Sequence, residues 1–228
     1  MLTPQVTLIL ILFATVIAVV AQVRVSSAFN KFSKVRTRRG MTGAEIAGHI
    51  LKDAGIHDVT VKRIESFLGD HYDPSKKVLC LSPGVHDSES VAAAGIAAHE
   101  CGHAIQHQHG YAPLKARMAV VPVTMVASKL LPFIVIGGFW FGLFRYGPIL
   151  DLGIAIYAVL TVFQLITLPV EFDASRRAKL ILTEHGLVTR EELGGVNSVL
   201  NAAALTYVAA FLSSLFHLLR LLALRNRN

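Results

Sequence analysis

The sequence has few of the residues that mark soluble or disulfide-bonded proteins. Only 16% of its 228 residues are charged, whereas 53% are hydrophobic and the mean hydropathy is +0.54. This composition is too apolar for an ordinary soluble domain and excludes an intrinsically disordered chain. Two cysteines, Cys80 and Cys101, are too few for a disulfide framework and are compatible with a reducing compartment.

The first apolar run, residues 3–23, contains no charge and is long enough to cross a hydrocarbon core about 30 Å thick. A cleaved signal peptide would carry basic residues before such a run, but no Lys or Arg precedes it. Six basic residues follow it within a short distance, namely Arg24, Lys31, Lys34, Arg36, Arg38 and Arg39. The run therefore predicts an uncleaved anchor whose C-terminal end is cytoplasmic.

Three further apolar runs cover residues 118–144, 148–168 and 202–224. The first two are separated by a very short connector, so they predict a helical hairpin that leaves the cytoplasm and returns to it. The last run holds His217 and Arg220, and it either crosses the membrane or lies at its interface. The chain is thus expected to have three to four transmembrane helices.

The positions of the basic residues account for the net charge of +7. Seventeen of the 22 Lys and Arg residues lie in segments 24–117 and 170–201, which this topology puts on one side of the membrane. An excess of Lys and Arg marks the cytoplasmic side. No base-reading motif and no basic stripe interleaved with aromatic residues occurs, so no nucleic-acid partner is expected.

The polar segment 24–117 is predicted to be a small α+β domain. Thr42 and Glu45 form a capping box that begins a helix ending at Gly55, and Asp87 or Ser88 is expected to begin another that runs to Gly110. Strands are predicted over 58–64 and 76–82, with a turn-rich stretch between them. The second of these strands is a candidate for binding an extended substrate at an exposed edge, although an ordinary internal strand is an equal alternative.

The second predicted helix carries the pattern His-Glu-x-x-His at His99, Glu100 and His103. Residues four apart lie on one face of a helix, so both imidazoles can bind one Zn²⁺ while the glutamate reaches a water molecule on that ion. Cys101 points away from this face and is expected to be a buried small residue. Gly102 costs about 1 kcal/mol in a helix relative to Ala, and either the close approach of a neighbouring helix or simple tolerance would explain it.

A catalytic zinc site normally has three protein ligands, and the sequence offers several candidates for the third. Glu171 is favoured because the predicted hairpin returns it to the same side of the membrane as His99. His109 has a metzincin-like spacing without the glycine of that pattern, and Asp173 is a further alternative. His107 lies about 12 Å along the helix from His99, too far for an ion already held by His99 and His103.

The ordered set of motifs resembles a known family. HECGHAIQH, preceded by GMTGAEIAGHIL and GDHYDPSKKVLCLSPGVHDSESVAAAGIAAHE and followed by LPVEFDASRRA, is similar to the YugP-like membrane zinc metallopeptidases of bacteria over nearly the whole chain. The resemblance implies a gluzincin-like site with His99, His103 and Glu171 as ligands of one catalytic Zn²⁺. In related membrane proteases the downstream motif is often ExxxD, but here the residue four after Glu171 is Ser175 and the acid is Asp173.

The expected fold class is therefore a membrane α+β protein with a small cytoplasmic zincin-like metalloprotease domain. Its predicted segments are an anchor (1–23), the zincin-like domain (24–117), a transmembrane hairpin (118–169), a cytoplasmic helix with the third ligand (170–201), and a fourth helix with the tail (202–228).

The expected reaction is hydrolysis of peptide bonds in membrane or cytoplasmic-face proteins, with Glu100 as general base. Candidates for stabilising the oxyanion or supporting the ligands are Asp173, His71, Tyr72, Arg176 and Arg177. The expected location is the bacterial plasma membrane with the active site on the cytoplasmic side. A non-catalytic zinc-binding scaffold is the alternative. A metal transporter is disfavoured because the histidine cluster lies in the polar segment, and the apolar runs hold few ionisable residues apart from Asp151, Lys129, His217 and Arg220. The lipid bilayer and a protein or peptide substrate are the expected partners, while a membrane-protein partner or a second copy of the chain stays open.

Overall fold

The computed structural model describes residues 3–66 and 69–226, so the first two residues of the predicted anchor and the last two of the predicted tail lie outside it. The chain divides into two compact units. The helical unit comprises Met1–Ala21, Ala116–Leu168 and Thr206–Asn228, and the mixed unit comprises Gln22–Lys115 and Pro169–Leu205. The elements are, in chain order, α1 (Pro4–Phe32), α2 (Gly43–Asp53), β1 (Thr60–Arg63), β2 (His71–Asp73), β3 (Val78–Leu81), α3 (Pro83–His86), α4 (Val91–Gln108), α5 (Ala112–Val135), α6 (Gly147–Glu184) and α7 (Arg190–Arg225).

Four helices among the described residues, α1, α5, α6 and α7, are long and apolar enough to cross a membrane. Large apolar side chains point outward from them, and Ile9 on α1 and Phe133 on α5 are 64% and 73% exposed. An exposed apolar surface of this extent is unfavourable in water, whereas lipid tails cover it without a free-energy penalty. The expected three to four transmembrane helices therefore correspond to four candidate spans, α7 included.

Helix α6 is longer than the sequence pattern suggests. It runs for 38 residues without a break, so the third apolar run and the helical segment that begins at Glu171 are one helix. Pro169 lies inside it and does not end it, because a proline removes one backbone hydrogen bond and the turns on either side keep theirs. At 1.5 Å per residue the helix is about 57 Å long, far more than a hydrocarbon core of roughly 30 Å.

A short turn joins α6 to α7. Gly186 adopts a left-handed conformation with φ +57°, and Thr189 and Glu192 then form a reciprocal capping pair that begins α7. The segment predicted as a single cytoplasmic helix, 170–201, consists in the structure of the end of α6, this turn and the beginning of α7.

The mixed unit contains a three-stranded sheet in the order β1-β3-β2. Strand β3 pairs in parallel with β1 and antiparallel with β2. The sequence predicted β1 and β3 but placed a turn where β2 lies, because His71, Tyr72 and Asp73 stand among Gly, Asp and Pro residues. The proposed exposed edge at β3 is wrong, since β3 is the central strand with a neighbour on each side.

Helices α2 and α4 begin at caps formed by side chains. The predicted capping box of α2 is confirmed, because Thr42 accepts from the Glu45 backbone and the Glu45 carboxylate accepts from the Thr42 backbone. The predicted cap of α4 at Asp87 or Ser88 is wrong. Pro83 begins the extra helical turn α3, which ends at His86 with Asp87 as its C-cap, and Ser90 instead accepts from the Ala93 backbone to begin α4.

Helix α4 is the centre of the mixed unit and is almost entirely buried. Its packing faces consist of small residues, and Ala93, Ala97 and Cys101 are fully buried within the main hydrophobic core. Gly102 also lets a neighbouring helix approach closely. A Cβ atom there would lie 2.7 Å from the Ala174 carbonyl oxygen and 3.1 Å from the Ala174 Cα atom of α6. The close approach of a neighbouring helix, and not simple tolerance, therefore explains this glycine.

We predict that Gly102→Ala destabilises the protein although alanine is the better helix former. The added methyl group overlaps backbone atoms, which cannot rotate away, and such overpacking costs about 1–3 kcal/mol. The matched control is Gly48→Ala on α2, where nothing lies within 4 Å of the place that a Cβ atom would take, so a gain of about 0.5–1 kcal/mol is expected. Thermal melting of the two variants in detergent tests the difference, and equal shifts would contradict it.

Candidate metal centre

The two histidines of α4 lie on one face of the helix. Their ring centroids are 4.8 Å apart, and the rings are nearly perpendicular. His103 is buried and His99 is partly buried, so both rings stand at the edge of the core and not in open solvent. The i, i+4 spacing thus produces the paired imidazoles that the sequence predicts.

The carboxylate of Glu171 approaches both rings from α6. Its Oε2 atom lies 3.2 Å from the Nε2 atom of His99 and 3.6 Å from the Nε2 atom of His103. The Glu171 side chain is only 2% exposed. The structure therefore brings together the three residues that the sequence proposes as zinc ligands, although Glu171 is 68 residues away from His103 in the chain.

The geometry and chemistry of these three donors fit a zinc ion. One donor atom from each of the three residues lies within 4.8 Å of the others. In a tetrahedral site with bonds of about 2.0–2.1 Å, ligand atoms are roughly 3.3 Å apart, which is close to the two distances given above. Two imidazoles and one carboxylate are also the ligand set of a common class of catalytic zinc sites with an open fourth position.

Gln106 holds His103 in one orientation. The Gln106 amide nitrogen donates to the Val170 carbonyl oxygen at 2.8 Å and to Asp173 at 3.0 Å, so its oxygen must face the other way, where it lies 3.0 Å from the His103 Nδ1 atom. An oxygen can only accept, so Nδ1 carries the proton and Nε2 faces Glu171. This is the ring orientation that a metal bound through Nε2 requires.

Asp173 and Ser175 support the two histidines in different ways. Asp173 accepts from Arg177 at 2.5 Å and also from Arg176, and it contacts the ligand histidines only indirectly, through Gln106. The Ser175 hydroxyl lies 3.1 Å from the Nδ1 atom of His99. Ser175, four residues after Glu171, thus contacts His99 with a hydroxyl group.

The charges around His103 favour its protonated form when no metal is bound. Burial alone would lower the pKa of His103, but its contact with Glu171 and the charges of Glu100 and Glu171 outweigh burial and raise the pKa above its ordinary value. The carboxylate of Glu100 is buried, and its negative charge acts on His103. A cation bound between His99, His103 and Glu171 would compensate the negative charge in this pocket.

Cys101 is fully buried and points away from the metal donors. Its Sγ atom lies 3.7 Å from the Ala47 carbonyl oxygen of α2, and burial raises the pKa of the thiol. The thiol therefore stays protonated and is unsuited to bind an ion, as the sequence predicted.

The remaining candidates have partners of their own. His71 places its Nδ1 atom 2.7 Å from the Gly69 carbonyl oxygen, and the Tyr72 hydroxyl lies 2.9 Å from His107. Burial, with the charges of Asp58 and Asp73, raises the pKa of Tyr72 to about 12, so its hydroxyl stays a potential donor. His109 follows the end of α4, and neither it nor His107 belongs to a potential metal-binding group of the described residues.

A cavity of about 590 Å³ lies beside the C-terminal half of α4. Its lining includes Tyr72 on β2, Asp58 and Lys77 near the sheet, and His107 and Gln108 on α4. His107 is one helical turn after His103, so this cavity continues along the helix that carries the metal donors.

The sequence patterns considered above do not predict the contact of Gln106 with His103. In the sequence this residue is notable only as the amino acid that replaces the glycine of the metzincin pattern. Its position three residues after His103, on the same face of α4, was the available signal. A fully buried glutamine beside a metal motif needs several hydrogen-bond partners, and the ligand ring is one of them.

Known proteins resemble this chain over most of its length. Residues 7–226 match the model of a family described as "Putative neutral zinc metallopeptidase". The chain is 48% identical over 200 residues to a Bacillus subtilis (strain 168) protein named "Putative membrane protease YugP", a match that covers 88% of each chain. No solved structure matches the chain significantly.

We predict that Glu171→Ala abolishes zinc binding at this centre and so lowers the zinc content by one ion per chain, whereas His109→Ala leaves it intact. The first change removes a donor that lies within 3.6 Å of both imidazoles, and the second alters a residue beyond the end of α4. Metal content of the purified proteins measures the result. Melting of both variants without metal controls for folding, and zinc lost with His109 but retained without Glu171 would refute the ligand set.

We also predict that Gln106→Leu weakens zinc binding by about 10–100-fold although Gln106 is not a ligand, because supporting partners of metal ligands have effects of this size. The matched control is Gln108→Leu, since the Gln108 side chain is on the same helix but donates to Gly55 at 3.5 Å, outside the donor set. Competition with a chelator of known affinity gives the zinc dissociation constants. Equal constants for the two variants would show that Gln106 has no part in holding His103.

Proposed function

Because this chain belongs to the neutral zinc metallopeptidase family, we propose that it is an integral-membrane, zinc-dependent endopeptidase. The observation that carries the proposal is the convergence of His99, His103 and Glu171. Three donors of the types that bind catalytic zinc meet at contact distance, from two helices that are far apart in the chain. The glutamate next to the first histidine supplies the base that hydrolysis needs.

In this proposal His99, His103 and Glu171 hold one Zn²⁺, and Glu100 is the general base. When bound there, the ion would supply a Lewis acid for the attacking water and the scissile carbonyl group. Glu100 accepts the proton of the attacking water and delivers it to the nitrogen of the scissile bond. The nitrogen therefore leaves as a neutral amine and not as an anion. Burial of Glu100 keeps competing water away from this transfer.

The proposed substrate-binding element is β2 and not β3. Strand β2 pairs with β3 along one side only among the described residues, so its other side offers free backbone groups to an extended peptide. The cavity beside Tyr72 and His107 would take a side chain of that peptide. Tyr72 is favoured over His71 as a polar contact because it lines this cavity.

The proposed substrates are membrane proteins or peptides at the membrane surface. Glu171 follows the third apolar run by three residues on the same helix, about 4.5 Å along its axis. The bias of Lys and Arg favours the cytoplasmic side for the polar segments, which include the whole ligand set. We therefore infer a multi-pass protein of the bacterial plasma membrane whose active site faces the cytoplasm.

We predict that Glu100→Gln retains zinc but lowers the hydrolysis of casein or a membrane-protein substrate by at least about 10²-fold, the usual contribution of a general base. The amide has nearly the same shape but cannot accept the proton. The matched control is Glu65→Gln, because the Glu65 side chain is exposed and pairs only with Arg63 among the described residues.

Zinc content, melting temperature and cleavage rate are measured on the same preparations. Loss of cleavage with zinc and folding intact supports the enzyme. Full activity of Glu100→Gln would refute the proposed base. Absence of cleavage by the zinc-loaded wild type, when tested on membrane fractions of cells that lack the protein, would favour the zinc-binding scaffold.

A further inference from the structure

The mixed unit contains a second group of potential metal ligands, which the proposed reaction does not use. His49 and Asp53 lie four residues apart on α2, and His185 follows the end of α6. One donor atom from each of these residues lies within 4.8 Å of the others. We call this group the second cluster.

The second cluster converges on one carboxylate oxygen. The Oδ2 atom of Asp53 lies 2.9 Å from the Nδ1 atom of His49 and 2.8 Å from the Nδ1 atom of His185. The two imidazole rings are perpendicular, with centroids 6.1 Å apart. Two nitrogen atoms and an oxygen atom therefore face the same small volume from two different elements.

One atom of the second cluster lacks the partner that burial requires. The Nδ1 atom of His49 is buried, yet it makes no hydrogen bond to Asp53 or to any other described residue, because its close contact with Asp53 lacks the necessary alignment. An unpaired buried nitrogen is energetically unfavourable unless something else binds it. A cation between the three donors would supply that partner.

The backbone holds the second cluster in place. The capping box at Thr42 and Glu45 secures the start of α2, and His49 and Asp53 lie on one face of that helix. His185 donates its backbone N–H to Ile181, and Gly186 then turns the chain in a left-handed conformation. The three side chains thus extend from ordered backbone, as a preformed ion site requires.

We propose that the second cluster binds a divalent transition-metal ion, with Zn²⁺ as the expected occupant. Two imidazoles and one carboxylate suit zinc, cobalt or nickel, whereas calcium and magnesium prefer oxygen ligands alone. His185 is 14 residues after Glu171, about 21 Å along the helix direction, so this ion is distinct from the one at His99 and His103.

The degree of exposure indicates an exchangeable ion. The side chains of His49, Asp53 and His185 are 38%, 35% and 35% exposed, so water reaches the site and completes the coordination. Structural zinc usually has four protein ligands, and three leave an open position. The ion connects α2 to the end of α6, which carries Glu171, and so stabilises the arrangement of helices around α4.

The test counts metal ions on the full-length protein in detergent. The protein is stripped with a chelator, dialysed against buffered Zn²⁺, and analysed for zinc per chain. The wild type is expected to bind two ions, while His49→Gln/His185→Gln and His99→Gln/His103→Gln each bind one. The matched control is His86→Gln, because His86 contacts Asp87 at 2.6 Å but belongs to no potential metal-binding group of the described residues, and this variant should keep both ions.

A second measurement covers the case in which the double variant fails to fold. The His99→Gln/His103→Gln protein, with the second cluster intact, should bind one Co²⁺ with the absorption of nitrogen and oxygen ligands, and Asp53→Asn in this background should weaken that binding at least tenfold. Excess Mg²⁺ should not compete.

One ion on the wild type that His49→Gln/His185→Gln retains, or two ions on that variant, would overturn the proposal and leave a metal-free group of polar side chains. Two ions on His99→Gln/His103→Gln would instead contradict the first centre, so the outcomes for the two sites are separate.

Discussion

The contact between α4 and α6 at Gly102 and Ala174 determines where the Glu171 carboxylate lies. Glu171 is three residues before Ala174 on the same helix, so the separation of the two helix backbones sets the distance from its carboxylate to His99 and His103. A side chain at position 102 would collide with backbone atoms of α6. The small residues of α4 therefore have a chemical consequence, because they allow a carboxylate from a distant helix to reach two imidazoles.

The burial of this carboxylate requires compensation. A buried, unpaired carboxylate is costly, and here the two imidazoles provide opposite charge or hydrogen bonds while no ion is bound. The same groups must release their protons when a cation binds, so the site exchanges protons for metal. The series from Arg177 through Asp173 and Gln106 to His103 keeps the ring in place during that exchange, since each member is held by the one before it.

Patterns with a strict geometric period were predictable from the sequence. The His99–His103 pair, the capping box at Thr42 and the four apolar runs each depend on local spacing, and the structure contains them all. Glu171 was predictable only through topology, because a hairpin had to return it. Strand β2 was not predictable, since three residues in a turn-rich stretch become a strand only through pairing with β3. The spacing of Gln106 from His103 was visible in the sequence, but its partners on α6 were not.

Ser175 and Asp173 show how a change in one supporting residue is accommodated. A carboxylate at position 175 would contact His99 directly and add a further negative charge beside Glu100 and Glu171. The hydroxyl found there fixes the ring without that charge. The available carboxylate, Asp173, instead acts on the other histidine through the neutral amide of Gln106, and two arginines balance its charge. Both histidines are thus oriented while the charge beside the donors stays at a level that one divalent cation offsets.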